Sequence, residues 1–260
     1  MSIDNNPFRV PMGQIHDYSA TAVGTFIPGG RLVSAGRGYQ WLVRGWEMFR
    51  TAPGTWIGIA VAFMLVVLTI GTIPIVNVGV NLLIPVFIGG ISIGCRAIEE
   101  GEGIRFAHLF AGFVRHPGRL LLVGLLYLLA LVVAAVVVAL VATVTGVAAM
   151  LTVGREGADH LDSWVFVVSF LAMILVFAPL AMAVWLAPPL VLFHELSAYQ
   201  AIKTSLLVAL QNFPPFLVYV LLVLLASVLA SLPLLLGWLL LLPVLYASLY
   251  AAYRDLFFAA

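Results

Sequence analysis

The sequence predicts an all-α protein that lies mostly in lipid, and three observations predict it. Of 260 residues, 63% are hydrophobic and 9% charged, too little polarity to cover a water-soluble globule of ordinary composition. Several uncharged runs reach or exceed the roughly 20 residues that a helix needs to cross a hydrocarbon core of about 30 Å. Short amphipathic segments closed by a proline precede every second run. Together these give a polytopic membrane protein of six transmembrane helices arranged as three hairpins, each hairpin preceded by an interfacial amphipathic helix.

The six runs lie near 55–75, 78–98, 119–149, 164–193, 214–232 and 234–254. In "SLPLLLG", Pro233 and Gly237 supply the turn between the last two. Residues 1–37 contain no apolar core of signal-peptide type, so the first run is the first insertion signal. Their polar, Pro- and Gly-containing text reads as a flexible N-terminal arm that orders only against a partner, with Gly29-Gly30 as a turn. Residues 38–260 then form a single six-span domain.

Orientation follows from basic residues in short loops. All of the 12 lysines and arginines except Arg155 fall on one side of the six-span arrangement. Both termini are therefore expected in the cytoplasm and 152–163 in the periplasm. A net charge of +1 gives no reason to expect nucleic acid as a partner. The single cysteine, Cys95, forms no intrachain disulfide.

The amphipathic segments are "GYQWLVRGWEMFRTAP" (38–53), "IRFAHLFAGFVRHP" (104–117) and "SAYQAIKTSLLVALQNFP" (197–214). In the first, Tyr39, Leu42, Trp46 and Phe49 recur at helical spacing, as do Tyr199, Ile202, Leu206 and Leu210 in the third. The first and third hairpins also close alike, with Pro85 to Arg96 matching Pro243 to Arg254. Gly90 and Gly94 match Ser248 and Ala252, small pairs that let a neighbouring helix approach closely in lipid. The middle copy, "WLAPPLVLFHEL", keeps a proline but lacks the small pair. This suggests a parallel three-fold repeat over about 38–101, 104–196 and 197–257. Two-span units give parallel copies, unlike the inverted repeats of many carriers. The 32 apolar residues from Leu120 to Leu151 would span about 48 Å as a helix, so this run must tilt, kink or project.

Chemistry is harder to find. No ionisable residue falls at mid-membrane, where function usually keeps one. Asn77 and Asn81 suit a helix-to-helix or headgroup hydrogen bond, and Thr143, Thr145, Ser169, Ser227 and Ser248 suit bonds back to helix carbonyls. Arg105, His108, Arg115, His116 and Arg119 form a basic cluster suited to lipid phosphate, or simply a positive-inside loop. Glu99, Glu100 and Glu102 share no metal-ligand spacing with these histidines. Tyr246, Tyr250 and Tyr253 share a helical face and, with Trp185 and Trp238, read as a packing or interfacial stripe before a cofactor box. No cofactor, metal or catalytic residue is expected, and the expected partners are membrane lipids and a protein met through the N-terminal arm or 152–163.

The combination of "AGRGYQWLVRGWEMFR", "HLFAGF", "QAIKTSLLVALQNFPPF" and the closing "LLPVLYASLYAAYRDLF" resembles an uncharacterised family of proteobacterial six-span inner-membrane proteins, over about 35–257. A more distant likeness, in span number and hairpin layout only, is to the membrane domain of some glycerophosphodiester phosphodiesterases. "NPFRVP" resembles short N-terminal motifs of other small bacterial membrane proteins. The closer resemblance implies the inner membrane of a Gram-negative bacterium and carries no activity. The expected role is a non-enzymatic envelope scaffold or accessory subunit; the alternative is a lipid-handling or transport protein with a cavity between the hairpins.

Overall fold

Nine α-helices and one 3₁₀ helix make up the computed structural model, which describes residues 24–71, 74–153 and 158–259. The helices are α1 (Arg37–Thr51), α2 (Pro53–Gly71), α3 (Pro74–Glu99), α4 (Pro117–Val153), α5 (Ala158–Trp185), α6 (Ala187–His194), α7 (Ala198–Gln211), α8 (Phe213–Ser231) and α9 (Trp238–Phe257). The 3₁₀ helix, Phe106–Phe113, stands where the sequence suggested the second amphipathic helix. Five of these helices are long and apolar enough to cross a membrane, and six when α1 and α2, bent by 103° at Pro53, count as one. Asn77 and Asn81 and the loop 152–163 lie outside the residues whose side chains are described.

Prolines set the helix breaks, and buried polar side chains satisfy the carbonyls that the breaks strand. Pro53 has no N–H, so α1 stops and Ala52 donates instead to Phe49 O at 3.3 Å. The Met48 carbonyl left over accepts from Trp56 Nε1 at 3.1 Å and from Thr51 Oγ1 at 2.7 Å. Pro188 and Pro189 likewise separate α5 from α6 at Leu186. There the Ser205 hydroxyl enters the helical ladder, accepting from Leu186 N at 3.1 Å and donating to Met182 O at 2.7 Å. Between α7 and α8, Asn212 is 1% exposed; its Nδ2 donates to Val208 O at 3.0 Å and to Arg31 O at 3.1 Å.

Packing follows one rule three times. Each proline-closed segment lies on the later helix of a hairpin-like pair: the 3₁₀ helix on α3 and α7 on α5 and α6, each in the pair that precedes it, and α1 on α9, in the pair that comes last. A small residue makes each approach. A Cβ on Gly112 would stand 2.0 Å from Val86 O and 3.1 Å from Gly90 N, and one on Gly45 would stand 2.6 Å from Val244 O and 2.8 Å from Ser248 N. Ser205 meets Met182 and Leu186 in the third case. The contacted residues are four apart each time, so the small residue sits over one rung of the helical ladder. The middle contact falls at Met182–Leu186, ahead of the Pro188 that marks the middle copy in the sequence.

The core gathers where these contacts meet, with Trp41, Trp56, Tyr250, Tyr253 and Phe257 among its largest fully buried side chains. Away from it, α4 and α5 pack along each other with most of their surface exposed. At 37 residues α4 is roughly 55 Å long. Thr143 and Thr145 bond back to Ala139 O and Val141 O, as their types suggest. Ser169 does not: its hydroxyl is buried with no partner among the described residues.

The glycine contacts generate a test. Leucine at Gly45 or Gly112 must displace backbone, and overpacking of this kind costs about 1–3 kcal/mol. Both variants should melt at lower temperature in detergent than wild type. Alanine at Gly58 or Gly146, where a Cβ meets nothing within 4 Å, should leave melting unchanged or raised. Equal melting of all four variants would refute close approach at the first two positions.

Candidate functional site

The end of a helix leaves its last carbonyls without partners in the helix. Residues 24–36 supply those partners for α9. Arg31 Nε donates to Asp255 O at 2.6 Å, Arg31 N to Leu256 O at 2.8 Å and Ile27 N to Phe257 O at 2.8 Å. Phe26 pairs with Phe258 in an antiparallel bridge, and Ala259 N donates to Thr25 O at 3.3 Å. Gly30, at φ +68°, turns the segment toward Val208, and Val33 N donates to Asn212 Oδ1 at 2.9 Å. The flexible arm expected over 1–37 is thus corrected for 24–36, which order against the chain's own closing helix; residues 1–23 lie outside the described residues.

The same segment supplies the countercharge for Asp255, whose side chain is 1% exposed. Arg31 Nη2 reaches Oδ1 at 2.7 Å, Arg37 Nε reaches Oδ2 at 2.7 Å, and Trp41 Nε1 reaches Oδ2 at 2.8 Å. Arg37 Nη2 closes on Oδ1, so Arg37 grips the carboxylate with both arms of its fork. That hydrogen bonding raises the Arg37 pKa above its usual value, against the opposing effect of burial. Cations at a helix C-terminus also complement its dipole.

A second polar band joins α3 to α9. Glu99 Oε2 accepts from Tyr250 Oη at 2.8 Å and pairs with Arg254 Nε at 3.1 Å. Arg254 also covers the Phe258 ring at 4.2 Å. Arg96 pairs with Glu100 at 2.9 Å and covers Phe193 at 5.3 Å. The two arginines matched in the sequence, Arg96 and Arg254, thus belong to one band. His194 Nε2 and Tyr253 Oη are 2.6 Å apart, and the His194 ring stacks on Phe26 with centroids 3.4 Å apart.

The basic cluster read from sequence is only partly gathered. Arg105 N donates to His108 Nδ1 at 3.1 Å and His108 N to Arg105 O at 3.0 Å, closing the start of the 3₁₀ helix. Burial first, and then Arg105, pushes the His108 pKa below its usual value. Arg119 turns to the Glu195 carbonyl at 2.7 Å. His116 occupies a left-handed turn at φ 51° before Pro117. Among the described residues no group of three His, Cys, Asp or Glu is arranged to hold a metal ion.

Of the packing residues, Gly90 faces the 3₁₀ helix: an added Cβ would meet His108 O. At Gly94 the nearest atom would be on Ile104, at 3.0 Å. Ser248 is fully buried and shares a 2.7 Å hydrogen bond with Tyr219, and Ala252 is also fully buried. Tyr246, Tyr250 and Tyr253 pack inward as a stripe, and Trp238 Nε1 donates to Ser231 Oγ at 3.1 Å. Two openings between helices are apolar: a 560 Å³ depression along α4 and α5, and a 290 Å³ groove between α5 and α8.

Sequence reading missed Asp255, Arg31, Arg37 and Trp41 as one assembly. A signal was present in Asp255 itself, a carboxylate inside an apolar stretch that cannot be buried unpaired.

Long apolar helices tied at one end by polar caps define a polytopic, all-helical integral membrane protein. Over 252 residues the chain is 28% identical to a protein of Burkholderia thailandensis described as a probable inner membrane protein, covering 86% of this chain and 92% of that one. No protein-family model matches the chain, and no solved structure matches it.

Asp255→Asn tests the assembly. Hydrogen bonds to a charged group are worth about 1.5–3 kcal/mol, so the variant should melt at lower temperature and expose 24–36 to protease. Arg44→Gln, remote from the carboxylate, should do neither. An unchanged proteolysis pattern in Asp255→Asn would sink the assignment.

Proposed function

We propose that the chain is a six-span protein of the bacterial inner membrane, with cytoplasmic termini, that serves as a non-enzymatic scaffold or accessory subunit. In this reading α1, the 3₁₀ helix and α7 lie along the cytoplasmic interface, and α2–α3, α4–α5/α6 and α8–α9 are three parallel hairpin units. The 103° bend between α1 and α2 supports the first point. The thrice-repeated docking of a small residue on a helical rung supports the second. The Burkholderia thailandensis relative supports the membrane.

The observation that carries the scaffold reading is the arm formed by α4 and α5. It exceeds a hydrocarbon core of about 30 Å and shows apolar side chains such as Val132, Leu140, Val144 and Leu171 on its outside. Such an arm offers a partner protein a long face in and above the membrane. The polar groups support a structural role as well, because both Asp255 oxygens, Glu99 Oε2 and His194 Nε2 are engaged within the chain.

A second reading, lipid handling, is favoured by the apolar groove between α5 and α8. It would use Arg105, Arg115 or Arg119 as a phosphate anchor.

Two experiments bear on this. In a Cys95→Ser background, a cysteine at Asp159 should react with an impermeant reagent added to intact spheroplasts; reaction only after the membrane is opened would reverse the topology. Deleting 152–163 should change the proteins that co-purify in mild detergent more than neutralising Arg105, Arg115 and Arg119 changes the co-purifying lipid. Lost lipid with unchanged protein partners would favour the second reading.

A further inference from the structure

The three units leave three seams, each between the later helix of one unit and the first span of the next. Two are closed. At α3–α4 a Cβ on Gly124 would lie 2.5 Å from Leu82 O, and at α9–α2 Phe63 meets Tyr246 edge-on at 5.7 Å. The third, α5–α8, is open. Its walls are Ala178, Ala181 and Trp185 on one side and Phe216, Tyr219 and Val220 on the other, around 290 Å³.

One wall carries a donor in want of an acceptor. Trp41, Trp56 and Trp238 donate their indole N–H groups to Asp255, Met48 O and Ser231. The Trp185 ring packs against Phe216 at 4.6 Å and Tyr219 at 4.9 Å, and among the described residues its N–H has no acceptor. It stands 6.1 Å from Trp41 on interfacial α1, at the end of α5, so an outside acceptor reaches it at headgroup depth. Above it, Ala178 and Ala181 leave a channel with no polar wall. Apolar chain along the channel and oxygen at the indole is the layout of a phospholipid.

We propose that the α5–α8 seam seats one acyl chain of a membrane glycerophospholipid, whose ester or phosphate oxygen accepts from Trp185 Nε1, and that this lipid completes the ring of units. The inference rests on α5 and α8 both crossing the membrane, which the labelling at Asp159 tests separately.

The test uses the full chain in nanodiscs of phosphatidylethanolamine and phosphatidylglycerol, doped with phosphatidylethanolamine carrying a diazirine in one acyl chain. After irradiation, labelled positions are mapped by peptide mass spectrometry. Labelling should concentrate on 178–185 and 216–220, severalfold above Val132, Val136 and Leu140, which are more than half exposed on α4. Ala181→Trp, or Val220→Trp from the other wall, should remove the seam labelling while leaving that on α4. Trp185→Phe should weaken it severalfold. Labelling in proportion to exposure, or insensitivity to both filling variants, would each overturn the proposal.

Discussion

The carboxyl end of α9 is where the molecule is held together. Three consecutive carbonyls there have no helical donors, and one side chain carries a buried negative charge. Left alone, those groups would oppose burial of the residues around them. Residues 24–41 answer all of them: backbone N–H groups and Arg31 for the carbonyls, and Arg31, Arg37 and Trp41 for the carboxylate. With the polar groups satisfied, Tyr250, Tyr253, Leu256 and Phe257 are buried. In lipid, where apolar surface gains little from leaving its surroundings, such pairing and close packing must do what the hydrophobic effect does in water.

The same economy governs the interior contacts. Gly45, Gly112 and Ser205 bring a crossing segment down onto a helix backbone, and each contact relies on absence of side-chain bulk. Ser205 goes further by standing inside the ladder, which is tolerable because the prolines that follow already interrupt it. Trp56 and Asn212 do comparable work at the other breaks. The breaks at Pro53, Pro188 and Pro214 are thus each paired with a side chain that takes up the polar groups stranded there.

Much of the helical framework was legible, because a run such as 119–149 has no composition compatible with water and Pro53, Pro117 and Pro214 punctuate it. At Gly90 the chain passes close to another backbone, whereas at Gly94 it meets side chains. Which element approaches was not legible, since the 3₁₀ helix is as apolar as a span and reads like one in composition. Arg31, Arg37 and Asp255 escaped for a different reason: more than 200 residues separate them, and no periodicity links a polar leader to a closing helix. The role of the basic cluster around Arg119 was open in the sequence between lipid contact and topology, and the bond from Arg119 to the Glu195 carbonyl, 76 residues on, had no signal there.

That the segment at 24–37 caps α9 also orders events during synthesis. The cap emerges among the first of these elements, and the helix it caps is the last. Until α9 is in the membrane, Arg31 and Arg37 have no carboxylate to hold, and the face of α1 that carries Gly45 has no backbone to rest on. The partly made protein is therefore an open chain of helices, and closure is one late event joining sequence-distant segments. Loop closure grows only logarithmically more costly with length, so the wait adds little thermodynamic burden. It does make the carboxyl-terminal helix a checkpoint: a chain arrested before 238 lacks the partner that turns its units into one body.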